Sequence, residues 1–223
     1  MKKKLIIFGA DLMAKMIYFY FSRDSDYEVV AFTVDRTYIK SDDFMGIKLV
    51  PFEDIQLNYP PSKFDMFIGI GTSNMNVNRE KKFFEAKEKG YYLAKYISPS
   101  AICHSEIGEN TVVGDMAIIN PYVEIGYNNY FWEHVFIGND SVIGNHSSFS
   151  PKSVVGTYSR IEDNVILGTS SVVKTSVLVA KKTLVGAVCY ISDDTKEKGI
   201  YGEKGSQLYG CISDKINISS AKK

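Results

Sequence analysis

The sequence predicts an α/β + β chain. A small Rossmann-like parallel α/β domain fills residues 1–98, a parallel β-helix of hexapeptide repeats fills 99–210, and a polar tail runs over 211–223. Two observations predict it. First, an apolar residue returns at every sixth place from Ile107 through Val113, Ile119, Ile125, Phe131, Ile137, Ile143, Phe149, Val155, Ile161, Leu167, Val173 and Val179 to Val185. Second, the first hundred residues alternate short apolar runs with amphipathic helical patterns, which is the signature of βαβ units.

The period of six fixes the second domain. Each hexad is a short strand plus a turn, and three hexads close one triangular coil. Places one and five point inward. Place five is accordingly small or β-branched, as in Thr111, Ala117, Ser141 and Val165, with Asn129 and Cys189 as exceptions. Place two is often glycine, which permits a tight corner. Place four is expected to face outward. The run from Ile107 to Tyr190 amounts to between four and five coils. Neither an amphipathic helix nor a flat meander repeats every six residues.

The first domain reads in order. Lys4–Gly9 is a buried strand, and Ala10–Met13 turn into a helix from Ala14 to about Ser22 with Ala14, Ile17, Tyr18 and Phe21 on one face. Tyr27–Val34 is the second strand and ends at Asp35. Met45–Val50 is a short strand, and a brief helical segment starts at Phe52. Phe64–Gly71 is a further buried strand. Asn78 to Gly90 is a helix with a glycine stop. Tyr91–Ile97 is a last strand before Ser98–Ala101 lead into the coils.

Composition excludes several function classes. The chain has 26 basic and 26 acidic residues in 223, so nothing marks nucleic acid as its main partner. No apolar run is long enough to cross a membrane, and the run after Met1-Lys2-Lys3-Lys4 is too short for a signal peptide. Cys103, Cys189 and Cys211 lie far apart without metal-ligand spacing, which reads as free thiols in a reducing cytoplasm and no metal site.

The succession FGA, VD, IGIGTSNMN and YISPSA, followed by hexapeptide repeats, resembles the sialic acid O-acyltransferase (NeuD/PglD-like) family of hexapeptide-repeat acyltransferases, over nearly the whole chain. The resemblance implies a left-handed coil and a homotrimer. It also implies acyl-CoA, acetyl-CoA in the first instance, lying between neighbouring β-helices, and a nucleotide-linked sugar held by the α/β domain. The activity implied is acylation of a sugar in surface-glycan synthesis, of O-antigen or capsule.

The resemblance places the general base at Asn139, with Asp140 as its acidic partner. Asparagine has no basic lone pair, so the usual histidine is absent. Three readings stand. His146, and after it His134, could substitute as base. Alternatively an amine that arrives unprotonated attacks without one, which favours an amino over a hydroxyl acceptor. Or the chain is a degenerate, acyltransferase-like binding protein. On the nucleotide side the matching positions are Gly9, Ala10 and Asp11, then Asp35, then Gly71 and Thr72. Asp11 stands where the family turn is glycine-rich and brings a carboxylate towards a phosphate. On the CoA side they are Gly168, Ser170, Gly186, Ala187 and Lys204. The plain alternative for those glycines is coil geometry.

Overall fold

The computed structural model describes residues 2–203 and residue 205. Lys204, Cys211 and the tail 211–223 lie outside the described residues. The chain opens with β1 (Lys3–Phe8), α1 (Leu12–Asp24), β2 (Tyr27–Val34), β3 (Asp43–Phe44), β4 (Ile47–Pro51), α2 (Ile55–Asn58), β5 (Asp65–Ile68) and α3 (Val77–Glu88). The sheet order is β3-β4-β2-β1-β5. β1, β2, β4 and β5 run parallel, as the βαβ pattern requires. β3 is an antiparallel addition that the sequence reading did not contain. It turns into β4 at Met45 and Gly46, which both have positive φ.

The residues of β1 alternate between two cores. Leu5 and Ile7 pack with Ala14, Ile17, Tyr20 and Phe21 of α1, while Ile6 and Phe8 pack with Ile55 of α2 and Phe83 and Ala86 of α3. α1 begins earlier than the periodicity predicts because Asp11 caps it, its carboxylate accepting the Met13 and Ala14 N–H groups. α3 ends as read, with Gly90 beyond the cap at φ 86.

The β-helix has three faces. The first runs from Tyr96–Ile97 through Val112–Val113, Tyr130–Phe131, Ser148–Phe149 and Ile166–Leu167 to Leu184–Val185 and Ile200–Tyr201. The second runs from Ile102–Cys103 to Tyr190–Ile191, and the third from Glu124–Ile125 to Leu178–Val179. All are parallel ladders. The fourteen place-one residues and the apolar place-five residues, such as Ala117, Val135 and Val165, line a single apolar core, with Phe131 stacked on Phe149 at 4.6 Å, and the place-five serines and threonines are buried beside it. The place-five exception Asn129 is satisfied inside. Its Nδ2 donates to Gly144 O at 2.8 Å and its Oδ1 accepts from the Ser147 N–H at 2.8 Å.

Three expectations are corrected. The positive φ angles fall at place four, from Asn110 (55°) to Lys182 (58°), and not at the place-two glycines. Those glycines are required by the next coil instead. A Cβ at Gly138 would lie 2.5 Å from Thr157 N, and one at Gly168 2.5 Å from Ala187 N. The predicted strand 91–97 also divides. Leu93 bridges Met66 of β5, whereas Tyr96–Ile97 already pairs with Val112–Val113 in the first face. Finally, there are more coils than the hexads count, because the end coils are shorter. Tyr96 pairs with Val112, Ile102 with Ile118 and Leu184 with Ile200, two residues fewer than the regular step from Val112 to Tyr130. Both shortened coils leave out a third-face strand.

The two parts pack directly. β5, the edge strand of the α/β sheet, carries the Leu93 bridge at Met66 and meets the first face of the β-helix at Ile68. The Ile68 N–H donates to Asn110 Oδ1 at 2.7 Å, and the Tyr130 hydroxyl donates to Ile68 O. The edge that would otherwise be open to another strand is thereby closed. Tyr130 is buried and Trp132 stacks on Tyr20 of α1, so both aromatics belong to the packing between the two parts. On that side Tyr20 donates to Glu133 at 2.6 Å, and Arg23 pairs with Asp115 at 2.7 Å.

Candidate active site

Six of the sequence-predicted site residues share the C-terminal end of the α/β sheet. Gly9, Ala10 and Asp11 follow β1, Asp35 follows β2, and Gly71 and Thr72 follow β5. The chain leaves β1 towards β2 and β4 on one side and returns to β5 on the other. The crevice between the β1 and β5 loops is therefore a topological switch point, where open parallel sheets bind ligands. Gly9 is needed there: its φ is 135°, and a Cβ would lie 2.5 Å from Gly69 O. Asp11, by capping α1, spends the helix-end N–H groups of Met13 and Ala14 that could otherwise meet a phosphate.

Asp35 is held by Lys82 Nζ at 2.6 Å, and the same ammonium donates to Glu85 at 2.6 Å. Burial pulls the lysine pKa down, but these two bonds outweigh it and the net direction is up. Asp35, Phe52, Glu53, Lys82 and Glu85 border a shallow cleft of about 420 Å³. After Gly71 and Thr72 the backbone is left-handed at three successive residues, Asn74, Met75 and Asn76 (φ 52°, 51° and 62°). Asn76 is buried and anchors this turn. Its Oδ1 accepts from the Ser148 hydroxyl at 3.0 Å.

The β-helix residues divide over three different edges of the prism. His134, Gly168, Ser170, Gly186 and Ala187 stack along the edge between the first and second faces. Asn139 and Asp140 lie on the edge between the second and third, and His146 on the edge between the third and first. One protomer does not bring them together. Asn139 donates from Nδ2 to Asp140 Oδ2 at 2.5 Å, and Asp140 is exposed.

His146 departs from expectation. It occupies a place-four corner, but it is only 3% exposed because α3 covers that edge. Phe83, Phe84 and Tyr127 surround its ring at 5.2–5.7 Å between centroids. Its Nδ1 accepts from Asn128 Nδ2 at 2.6 Å, which leaves the proton on Nε2, facing Glu80 Oε1 at 3.9 Å. Burial pushes its pKa down to about 4, against the pull of Glu80. His146 therefore sits in the packing between the two domains and not on an open flank.

It belongs to a ladder that hexad reading missed. Asn110, Asn128, His146 and Asn164 stand on the same corner of successive coils, all buried beneath α3. Asn110 donates to Asn128 at 2.8 Å, Asn128 to His146, and Asn164 to Glu80 at 2.9 Å. Beside the ladder lies Arg79, fully buried and 4.0 Å above the Tyr130 ring. Its guanidinium donates to Asn128, to the His146 and Ser147 carbonyls and to Ser148 Oγ at 3.1–3.3 Å. The signal was present as one amide or imidazole every third hexad at place four.

A pH dependence follows from His146. Its folded value lies below the ordinary 6.5, so the unfolded chain takes up the proton first. Its contribution is complete above about pH 6.5 and is lost as the pH falls towards about 4. Urea unfolding is expected to lose roughly 2 kcal/mol from this group between pH 7 and pH 5. His146→Asn should flatten that decline, and an equally steep decline in the variant would assign it elsewhere.

The chain matches no protein-family profile and no curated protein sequence. It does match solved structures. PerB from Caulobacter crescentus, solved with CoA and GDP-perosamine, superposes with a TM-score of 0.77 at 20% identity, over 89% of this chain and 91% of that one. The acetyltransferase domain of PglB from Neisseria gonorrhoeae FA1090 gives 0.70 at 20% identity, over 89% and 96%. WeeI from Acinetobacter baumannii AYE gives 0.67 at 20% identity, over 90% and 95%. The fold is thus shared with these proteins over about nine-tenths of the chain, and its stacked parallel ladders are those of a β-helix acetyltransferase fold. Among the described residues no helix is long and apolar enough to cross a membrane, and no three His, Cys, Asp or Glu side chains group as a metal site.

Proposed function

We propose that this chain is an acyl-CoA-dependent acyltransferase, with acetyl-CoA as donor, that acylates an amino group of a nucleotide-linked sugar in O-antigen or capsule synthesis. The observation that carries the reading is the shared two-part architecture. It superposes over about nine-tenths of both chains on PerB, which was solved with CoA and GDP-perosamine bound. In this reading residues 1–98 are a Rossmann-like nucleotide-sugar domain. Gly9, Ala10, Asp35, Gly71 and Thr72 hold the nucleotide, and Asp11 leaves the diphosphate to be met by neighbouring loops. Residues 99–210 form a left-handed β-helix. Gly168, Ser170, Gly186 and Ala187 line the CoA path, with Lys204 beyond them. The protein is a cytoplasmic homotrimer of the sialic acid O-acyltransferase type.

An amino acceptor suits Asn139 and Asp140. The amine nitrogen attacks the thioester carbonyl carbon, the N–C bond forms and the C–S bond breaks. One amine proton ends on the departing thiolate, giving amide and free CoA thiol. Only an unprotonated amine can begin this without a histidine at position 139.

Calorimetry with acetyl-CoA, and separately with GDP-, UDP- and dTDP-linked amino sugars, tests the reading. The expected result is micromolar binding of the donor and of at least one sugar nucleotide, with an acetamido product seen by mass spectrometry. Binding of neither ligand would sink it and leave a scaffold protein.

A further inference from the structure

We infer that the acylation site is completed across a three-fold interface, where His134 of one subunit acts as the general base beside Asn139 and Asp140 of the next. The inference rests on the acyltransferase reading above and adds the residue that position 139 lacks.

The second face of the β-helix points to the interface. Its outward residues are Ile102, Ile118, Phe136, Val154, Val172 and Tyr190, all of them apolar. The two ends are 51% and 59% exposed. The first face is covered by the α/β domain from Tyr96 to Ser148, with Ile166, Leu184 and Ile200 continuing beyond that cover, and the third face is interrupted by Glu124 and Arg160 at the same places. A continuous apolar stripe on a soluble domain marks an interface, and identical chains close it by rotation.

The borders of that face say what covers it. Three prisms that turn the same face towards a three-fold axis meet along its two borders, the first–second edge of one against the second–third edge of the next. Place-four residues project at both borders, six residues apart in each coil. Six residues are a third of a coil, a rise of only ~1.6 Å where strands are spaced by ~4.8 Å. The axis therefore sets them at nearly the same height. The facing pairs are chemically matched, coil by coil. Met116 meets Tyr122, a sulfur against a ring, and Lys152 meets Tyr158, a cation against a ring. Between them His134 meets Asp140, an imidazole against a carboxylate. All six of these side chains are exposed in the single chain. A second copy of this chain is the occupant this complementarity selects.

His134 bonds its own chain through its backbone N–H, to Asp115 O at 3.0 Å, and leaves its ring at the border. In the assembled site its imidazole takes the proton from the attacking amine as the N–C bond forms. It returns that proton to the thiolate as the C–S bond breaks. Asp140 of the neighbouring subunit orients the ring and stabilises the imidazolium. The Asn139 amide, donating to Asp140 at 2.5 Å, holds that carboxylate in place.

Subunit mixing tests this. His134→Asn and Asp140→Asn are suitable because both positions have φ near 58° and asparagine tolerates the left-handed region. As pure assemblies, His134→Asn is expected to lose ~10²–10⁴-fold in turnover and Asp140→Asn at least about tenfold. Differently tagged subunits, co-expressed and purified as mixed trimers, should recover about one third of wild-type turnover, because one interface in three then joins an intact His134 to an intact Asp140. Mixed trimers no more active than their parents, full activity in both variants, or a monomeric wild type that transfers acetyl would overturn the inference and leave the acyltransferase reading standing. A wild-type protein that transfers acetyl to none of the amino-sugar nucleotides overturns both.

Discussion

Replacing Arg79 with leucine is expected to remove roughly 3–5 kcal/mol of stability, read as a lower urea midpoint, since it strands several buried acceptors and opens a cavity. The guanidinium is fully buried and makes its bonds to the β-helix while sitting on the Tyr130 ring. Among the described residues no carboxylate pairs with it, and burial draws its pKa down to about 10, so it remains charged at neutral pH. Backbone carbonyls take the place of a counterion. Its Nη1 has no hydrogen-bond partner among the described residues, so part of the desolvation cost stays uncompensated. Arg79→Lys should recover only part of the loss, because a single ammonium cannot span Asn128, the two carbonyls and Ser148 together. A change under about 1 kcal/mol in the leucine variant would mean that the junction relaxes around the loss and the arginine is dispensable.

The β-helix was legible in the sequence because its constraint is local and repeated. Each coil must bury place one and place five, so Ile107 and every sixth residue after it carry the same demand. The α/β order was legible for the same reason: β1, β2 and β5 are buried on both faces and read as continuous apolar runs. What escaped was whatever depends on the second domain lying against the first. A place-four side chain points away from its own coil whether it meets water, as at His134, or α3, as at His146. Tyr130 and Trp132 look like exposed aromatics until α1 and β5 cover them. Arg79 looks like one more charge on a Lys- and Glu-rich helix. Asp11 could have been read as a helix cap, since an Asp just ahead of an amphipathic run is a start signal. The distribution of Asn139, His134 and His146 over three edges follows from counting hexads in threes. The pairing proposed between His134 and Asn139 with Asp140 across subunits does not, because a repeat pattern carries no record of which face another copy will cover.

Gly9 and Gly71 separate a structural from a ligand role at the switch-point crevice. Gly9→Ala is expected to cost several kcal/mol, of which about 1–3 kcal/mol is backbone strain. The native φ of 135° is one that a side chain rarely adopts, and the new Cβ would press on Gly69 O at 2.5 Å, forcing β1 and β5 apart where their loops begin. Sugar-nucleotide binding should fall with it, since the Gly9 loop and the Gly69–Thr72 loop would no longer face each other. Gly71→Ala is the control. Nothing lies within 4 Å of its Cβ position and its φ is ordinary, so stability should change by less than about 0.5 kcal/mol. A fall in sugar-nucleotide affinity with unchanged stability in Gly71→Ala would mean that a ligand passes over that backbone, as the proposed function requires. Unchanged affinity in both variants would remove the crevice between β1 and β5 from the nucleotide path, and the cleft beside Asp35 and Lys82 would then be the place to look.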